Sequence, residues 1–314
     1  MTARRVGAID CGTNSIRLLI ADVTDGALHE LHREMRIVRL GQGVDATGEF
    51  AVEAIGRTRA ALVDYAALLV RFEVTNVRMV ATSATRDAGN REDFFAMTSE
   101  VLGKVVPGVV AEVITGEEEA ALSFHGAIAE MDCREAPFLV VDLGGGSTEL
   151  VLGTRGVDAS YSADIGCVRL TERCLHSDPP TATEIAAARE VVRERLGEAL
   201  RIVPVDRARE WIGVAGTMTT LSALAQKMAT YDPAAIHLSR VGFPELLEVC
   251  DRLIGMTRAQ RSALGPMHEG RVDVIAGGAI VVQELAYALR QRAGIERLTV
   301  SEHDILDGIA LTVG

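Results

Sequence analysis

Two short stretches share a combination of glycine, carboxylate and hydroxyl groups. One is VVDLGGGSTEL at Val140–Leu150, in which three glycines lie between an aspartate and a Ser-Thr-Glu run. The other is AIDCGTNSIRLL at Ala8–Leu19. Each begins as an apolar strand that ends in aspartate and continues into a turn. Glycine permits positive φ and lets a ligand approach the backbone closely, so successive N–H groups can converge on an anion.

The two turns are therefore candidate phosphate-binding loops. Their donors come from eight residues: Gly12, Thr13, Asn14, Ser15, Gly144, Gly145, Gly146 and Ser147. Asp10 and Asp142 would repel a bare phosphate, and a Mg²⁺ or Mn²⁺ ion would explain their presence, since Mg²⁺ is usually held by a few carboxylates and phosphate oxygens. A tight β-hairpin accounts equally well for either turn alone. Two such turns in one chain favour phosphate binding.

A third stretch, GVAGTMTTLSA at Gly213–Ala223, leads from a strand through glycine and threonine into a helix. Gly216 and Thr217 lie where a helix N-terminus receives an anion, although Thr217 also fits an ordinary N-cap. Arg17 alternates with apolar residues on a predicted strand, and Arg86 follows another strand in the hydroxyl-rich ATSATRDAGN. Each arginine fits a clamp on phosphate oxygens and, equally, a surface position.

Three glutamates begin a predicted helix in ITGEEEA at Ile114–Ala120. Thr115 and Glu118 fit a capping box, and Glu117 in the first turn is favoured by the helix dipole. Glu119 has no such local role, so it is the candidate general base for a water molecule that attacks phosphorus. The spacing alone also fits three solvated glutamates at a helix end.

The predicted elements occur in the same order twice. Three strands in hairpins are followed by alternating helices and strands, first from the N-terminus and again from FLVVDLGG onward. An offset of 132 residues aligns four identical pairs: Asp10 with Asp142, Gly12 with Gly144, Ser15 with Ser147 and Leu18 with Leu150. We therefore predict an α/β protein with two similar domains, each a mixed sheet flanked by helices, facing a common cleft. The predicted domains are residues 1–132 plus 302–314, and residues 133–301.

Composition limits the classes of function. The chain has 44 acidic and 32 basic residues, a formal net charge of −12, which argues against a nucleic-acid partner because such proteins usually carry a basic balance. The five cysteines form no CxxC pair and no metal-type spacing, which indicates a reducing cytoplasm. No segment has the roughly 20 apolar residues of a membrane span, so no membrane partner is expected.

Taken in order, seven segments resemble the exopolyphosphatase/guanosine pentaphosphate phosphohydrolase family, within the actin, sugar-kinase and Hsp70 ATPase superfamily. The segments are DCGTNSIR (Asp10–Arg17), TSATRDAGN (Thr82–Asn90), ITGEEEA (Ile114–Ala120), DLGGGSTE (Asp142–Glu149), GCVRLTE (Gly166–Glu172), GVAGTMTTL (Gly213–Leu221) and RVDVIAGG (Arg271–Gly278). The resemblance implies two ribonuclease-H-like domains and Mg²⁺-assisted hydrolysis of a terminal phosphoanhydride. It places the catalytic base at Glu119, the metal and attacking water near Asp142 and Glu149, and the phosphates at the glycine turns and arginines.

The substrate is not resolved within this family. Inorganic polyphosphate is the first prediction, and the 5′-γ-phosphate of guanosine pentaphosphate is the alternative. The chain resembles the short form of the family, without an added C-terminal helical region that is partly similar to HD phosphohydrolases, so we expect shorter polyphosphates to be preferred. A kinase or ATPase of the superfamily and a non-catalytic sensor of phosphate ligands are competing predictions. A homodimer is expected from the resemblance only.

Overall fold

The computed structural model describes residues 3–313, which form two compact units. Unit 1 is the chain up to Gly126 together with the segment from Ile305 onward, and unit 2 is Ala127–Asp304. Residues 127–132 and 302–304, which the sequence analysis assigned to the first domain, belong to unit 2. They do so because Glu130 and His303 contact His237 of that unit.

Unit 1 is built on one five-stranded sheet. Its strands are β1 (Arg4–Cys11), β2 (Ser15–Thr24), β3 (Ala27–Ile37), β4 (Asn76–Ala81) and β5 (Glu112–Val113). Their order is β3-β2-β1-β4-β5, with β1, β2 and β3 antiparallel and β1, β4 and β5 parallel. The helices are α1 (Val44–Thr47), α2 (Val52–Arg71), α3 (Ser83–Asp87), α4 (Arg91–Leu102), α5 (Gly116–Ile128), which ends in unit 2, and α13 (Ile305–Thr312).

The sheet of unit 1 is covered on both faces, which explains why its central strands are almost continuously apolar. Ile9 and Leu18 are fully buried in a core that includes side chains of α2 and α4. Ala8 and Leu19 point the other way, into a core completed by α13. This packing fixes the ends of β1 and β2, where the first glycine turn lies.

Unit 2 has a six-stranded sheet of closely similar topology. Its strands are β6 (Phe138–Leu143), β7 (Thr148–Gly153), β8 (Val157–Ala163), β9 (Glu210–Val214), β10 (Ser239–Gly242) and β11 (Arg297–Val300). The order β8-β7-β6-β9-β11 repeats that of unit 1, with β6, β7 and β8 antiparallel and β6, β9 and β11 parallel. At the sheet edge lies β10, a four-residue strand antiparallel to β11 that was not predicted from the sequence.

The helices of unit 2 pack around one large core. They are α6 (Cys167–Cys174), α7 (Ala182–Ile202), α8 (Ala215–Ala225), α9 (Pro233–Ile236), α10 (Phe243–Gly255), α11 (Arg258–Ser262) and α12 (Ile275–Ala293), with short 3₁₀ turns at Cys133–Glu135, Val205–Arg207 and Glu269–Arg271. A Cβ atom on Gly277 would lie 2.5 Å from Thr171 Oγ1, and one on Gly278 would lie 2.7 Å from Thr217 Oγ1. The glycine pair therefore allows α12 to pack closely against α6 and α8.

Each unit has a mixed sheet flanked by helices, and five strands occur in the same order in both sheets. This architecture confirms the predicted fold class. Within residues 3–313, no helix combines the length and apolar character needed to cross a membrane.

Candidate functional site

The two glycine turns have the same hydrogen-bonded geometry. Gly12 N donates to Ser15 O at 2.9 Å, and Gly144 N donates to Ser147 O at 3.1 Å. Each bond closes the turn between two antiparallel strands, β1–β2 in unit 1 and β6–β7 in unit 2. The residues aligned at an offset of 132 therefore adopt the same local structure in both units, in addition to being identical amino acids.

Each turn leaves two adjacent backbone donors at equivalent positions. Within the described residues 3–313, the amide groups of Thr13 and Asn14 in unit 1 donate to no other protein group, and the same is true of Gly145 and Gly146 in unit 2. The N–H groups of Gly12 and Gly144 close the turns and are occupied. The anion-binding capacity expected from the sequence thus lies with the two central residues of each turn.

The opposing strand positions next to the turns carry different charges in the two units. In unit 1, Asp10 is paired across the strands with Arg17, whose Nη2 and Nε donate to Asp10 Oδ2 at 2.7 and 3.0 Å. In unit 2, the equivalent positions hold Asp142 and Glu149. One hairpin therefore presents a carboxylate and a guanidinium, and the other presents two carboxylates.

The pair Asp142 and Glu149 fits a divalent cation. Both side chains are buried, with 7% and 1% of their surface exposed, and like charges directly opposite each other on antiparallel strands are destabilising. Ser162 Oγ donates to Glu149 Oε1 at 2.7 Å, which orients that carboxylate. Oxygen ligands of this kind suit Mg²⁺ or Mn²⁺. Asp10 is the weaker ligand candidate because its carboxylate already binds Arg17.

Glu119 is buried whereas its two neighbouring glutamates are exposed, in agreement with the difference predicted from the sequence. Glu117 and Glu118 are exposed, and Glu118 N donates to the Thr115 hydroxyl oxygen, which caps the helix, whereas Glu119 is only 8% exposed. Arg86 Nη1 donates to Glu119 Oε2 at 2.7 Å. Burial raises the pKa of Glu119, whereas Arg86 and the Thr82 hydroxyl act in the opposite direction.

The structure thus brings together four predicted residues of unit 1: Asp10, Arg17, Arg86 and Glu119. Arg86 lies in α3, and its Nη1 also donates to Ile114 O at 3.1 Å, which attaches α3 to the segment before α5. Both arginines are paired with carboxylates in this structure. A phosphate that used them would compete with these pairs.

The second turn is closely approached by Gly166, the residue before α6. The positive φ expected from the sequence is not found at the turn glycines: among residues 3–313 the left-handed glycines are Gly26, Gly43, Gly48, Gly108 and Gly294. A Cβ atom on Gly166 would lie 2.3 Å from Gly145 O and 2.6 Å from Gly146 N. Because Gly166 has no side chain, the first turn of α6 can reach the loop. There, Cys167 N donates to Gly144 O at 3.0 Å and Val168 N donates to Gly145 O at 2.9 Å.

The third stretch forms the start of α8. Thr217 is not the N-cap, because the helix begins at Ala215 and Val214 occupies that position. Ala215 has φ = 70°, a left-handed conformation that costs a non-glycine residue about 1–2 kcal/mol. Such strain is concentrated at functional sites, and here it turns the chain sharply so that Gly216 and Thr217 lie in the first helical turn.

Arg271 was missed as an individual site residue. A Cβ atom on Gly216 would lie 2.3 Å from Arg271 Cζ, and Arg271 Nη1 donates to Thr220 Oγ1 at 3.1 Å. The guanidinium adds its charge to the positive end of the α8 dipole, which favours an anion there. Arg271 could have been found from the sequence, because it is the first residue of the segment RVDVIAGG. Thr82 had the same kind of signal from its place in TSATRDAGN, whereas Ser162 had none, since isolated hydroxyl residues are common in any sequence.

Comparisons with known proteins agree with this geometry. The model of the Ppx/GppA phosphatase family matches residues 19–313. Exopolyphosphatase 2 of Mycobacterium tuberculosis is 70% identical, with 100% of this chain and 99% of that protein covered. The Aquifex aeolicus PPX-GPPA enzyme superposes with a TM-score of 0.80 at 32% identity, covering 99% of this chain and 100% of that one. An exopolyphosphatase from Cytophaga hutchinsonii gives 0.83 at 27% identity, covering 97% and 96%. The chain belongs to the Ppx/GppA phosphatase family.

Proposed function

We propose that this protein is an exopolyphosphatase, a phosphoanhydride hydrolase that releases phosphate from the ends of inorganic polyphosphate. The observation that carries the proposal is Glu119, a buried carboxylate held by Arg86 beside two exposed glutamates. A buried carboxylate of this kind in a Ppx/GppA phosphatase supports the role of Glu119 as the base of a hydrolytic reaction. The name of the Mycobacterium tuberculosis relative, which is similar over the whole length of both chains, supports polyphosphate as the substrate.

In the proposed reaction, Glu119 accepts a proton from water. The water oxygen forms a bond to the terminal phosphorus, and the bond from that phosphorus to the bridging oxygen breaks. The products are inorganic phosphate and a polyphosphate shorter by one residue. Burial raises the pKa of Glu119, so it is a stronger base than an exposed glutamate when it is ionised.

The remaining predicted residues are proposed to bind the substrate. The N–H groups of Thr13, Asn14, Gly145 and Gly146 would hold phosphate oxygens, together with the hydroxyl groups of Ser15 and Ser147. Gly216 and Thr217 would add the N-terminus of α8, with Arg271 beside it. Arg17 and Arg86 would provide positive charge within unit 1.

Ppx/GppA phosphatases are generally dependent on divalent metals, and we propose that Asp142 and Glu149 hold Mg²⁺ or Mn²⁺, with Asp10 as an additional ligand. The bound ion would neutralise charge on phosphate oxygens. The protein's own contribution is to keep both carboxylates buried and opposite each other, with Ser162 fixing the orientation of Glu149.

Short polyphosphates, a homodimer and a cytoplasmic location remain part of the proposal. The five cysteines are free thiols in the structure, which supports a reducing compartment. Guanosine pentaphosphate hydrolysis is the alternative, since it breaks the same type of bond with the same groups.

The test is phosphate release by the purified protein from short polyphosphate, long polyphosphate, guanosine pentaphosphate and ATP, with and without Mg²⁺. The proposal expects short polyphosphate to give the highest kcat/KM and EDTA to abolish release. A higher kcat/KM for guanosine pentaphosphate would support the same hydrolytic reaction with guanosine pentaphosphate, not polyphosphate, as the substrate. Absence of release from every compound by folded protein would refute a hydrolase and favour a sensor, while ATP-dependent transfer to an acceptor would favour a kinase.

Arg86→Gln should move the acid limb of the pH profile of kcat/KM to higher pH. Glu119 is a base only when ionised, so the rate falls as the pH drops through its pKa. Arg86 lowers this pKa against the effect of burial, and its removal therefore raises the pKa further. Arg86→Lys keeps the charge and should move the limb less. A raised KM with an unmoved acid limb in both variants would mean that Arg86 acts on substrate phosphate and not on Glu119.

A further inference from the structure

Three residues that are far apart in the sequence meet in unit 2, and none of them is among the groups assigned to hydrolysis. Glu130 follows the end of α5, His237 caps the C-terminus of α9, and His303 lies between β11 and α13. Glu130 Oε1 lies 2.9 Å from His303 Nδ1 and 3.7 Å from His237 Nε2. One ligand atom from each residue lies within 4.8 Å of the other two.

We propose that Glu130, His237 and His303 form a binding site for a divalent metal ion of the Zn²⁺ class. Zn²⁺ holds imidazole nitrogens and carboxylate oxygens at about 2.0–2.2 Å in a tetrahedron, in which neighbouring ligand atoms are roughly 3.3 Å apart. The two measured separations from Glu130 lie on either side of that value. Three protein ligands leave the fourth position for water.

The ligand types separate this site from the one proposed at Asp142 and Glu149. Imidazole nitrogen suits zinc, copper, nickel and cobalt, whereas carboxylate oxygens alone suit magnesium and manganese. The site is also accessible: the side chains of His237, His303 and Glu130 are 19%, 32% and 55% exposed. A metal ion could therefore enter from solvent without unfolding the unit.

The positions of the two histidine rings fit this assignment. The imidazole rings are 4.4 Å apart between centroids, which is close enough for both to reach one metal ion. Glu302 N donates to His237 Nδ1 at 3.2 Å, which places the ring proton on Nε2, facing Glu130. A metal ion can bind Nε2 only when that atom carries no proton. The proton would move to Nδ1, so metal binding at Nε2 changes the tautomer of His237 and breaks the long hydrogen bond from Glu302 N.

The ligands come from segments next to both chain crossings between the units. The crossings are at Gly126/Ala127 and Asp304/Ile305. Glu130 follows the first crossing closely, and His303 directly precedes Asp304. A metal ion at this site would fasten both segments to α9 inside unit 2, which assigns the site a structural or regulatory role.

The test uses Co²⁺ as a spectroscopic probe with the full-length, metal-free protein in excess Mg²⁺, so that the oxygen ligands are already occupied. The expected result is one Co²⁺ per chain, with the visible absorption of a tetrahedral nitrogen and oxygen site and no thiolate charge-transfer band. His237→Gln and His303→Gln should each weaken Co²⁺ binding at least about tenfold. His125→Gln, which removes an exposed histidine of α5, should leave binding unchanged.

Two results would overturn the proposal. One is the absence of stoichiometric Co²⁺ binding by the wild-type protein, which needs no variant to fold. The other is equal affinity in the wild type and in folded His303→Gln protein, or a thiolate band, either of which would place the metal elsewhere. Zn²⁺ should also raise the thermal stability of the wild type and not that of His303→Gln, a readout independent of phosphate release.

Discussion

Replacing Glu119 by glutamine should lower kcat for phosphate release from polyphosphate by about 10²–10⁴-fold, the usual contribution of a positioned general base. Glutamine keeps the size of the side chain and an oxygen that can still accept from Arg86, so substrate binding should change much less than kcat. The acid limb of the pH profile, which reports ionisation of the base, should disappear in this variant. Single-turnover kinetics would separate the chemical step from product release.

Glu117→Gln is the matched control for this prediction. It makes the same chemical change two residues away in the first turn of α5, where the side chain is exposed. Its kcat should stay within about twofold of the wild type, since surface substitutions of this kind are nearly neutral. Retention of full activity by Glu119→Gln, in protein that is correctly folded, would remove this residue from the mechanism.

Glu149→Gln should change activity and stability in opposite directions. A metal ion that stabilises charge on a phosphoryl group is worth several kcal/mol, so losing a ligand should lower kcat/KM by about 100-fold or more. In EDTA, however, the same substitution removes repulsion from Asp142 on the opposing strand. The free energy of unfolding should then rise by roughly 0.5 kcal/mol. Urea unfolding in EDTA measures the expected rise in the free energy of unfolding. Urea unfolding in Mg²⁺ measures how much of the stabilisation by the ion is lost in the variant.

Glu198→Gln is the control for the stability effect. Glu198 is also a glutamate of unit 2 that accepts from one hydroxyl group, Tyr161 Oη at 3.2 Å, but it has no carboxylate opposite it on a strand. Its substitution should not stabilise the metal-free protein and should not alter the response to Mg²⁺. If Mg²⁺ stabilised Glu149→Gln as strongly as the wild type, the metal would be bound by other ligands.

The parts of the fold that depend on local order are predictable from the sequence. Alternating apolar strands separated by Gly-Thr-Asn or Gly-Gly-Gly define both hairpins, and their repetition predicts the same strand order in both sheets. The capping argument separates Glu119 from Glu117 and Glu118 because caps are satisfied within one helical turn. In each of these cases, the interacting groups lie within a few residues of one another.

The departures from prediction involve short elements and crowded glycines. The strand β10 has only four residues, too few for a periodic pattern, and it is specified by pairing with β11. The glycines of the second turn do not have positive φ, and the position where a side chain would clash with the turn is Gly166. The approach of Gly166 to the turn depends on where α6 begins, which the turn sequence does not contain.

By itself, the sequence determined the two hairpins, the repeated α/β order, the candidate base and the candidate phosphate-binding turns. Only the tertiary structure decided which charges meet: Arg17 with Asp10, Arg86 with Glu119, and Asp142 opposite Glu149. It alone brought Arg271 against Gly216 and joined Glu130, His237 and His303. The physical reason is that a side-chain pair is set by the packing of whole elements, whereas periodicity and turn signals act between neighbours along the chain.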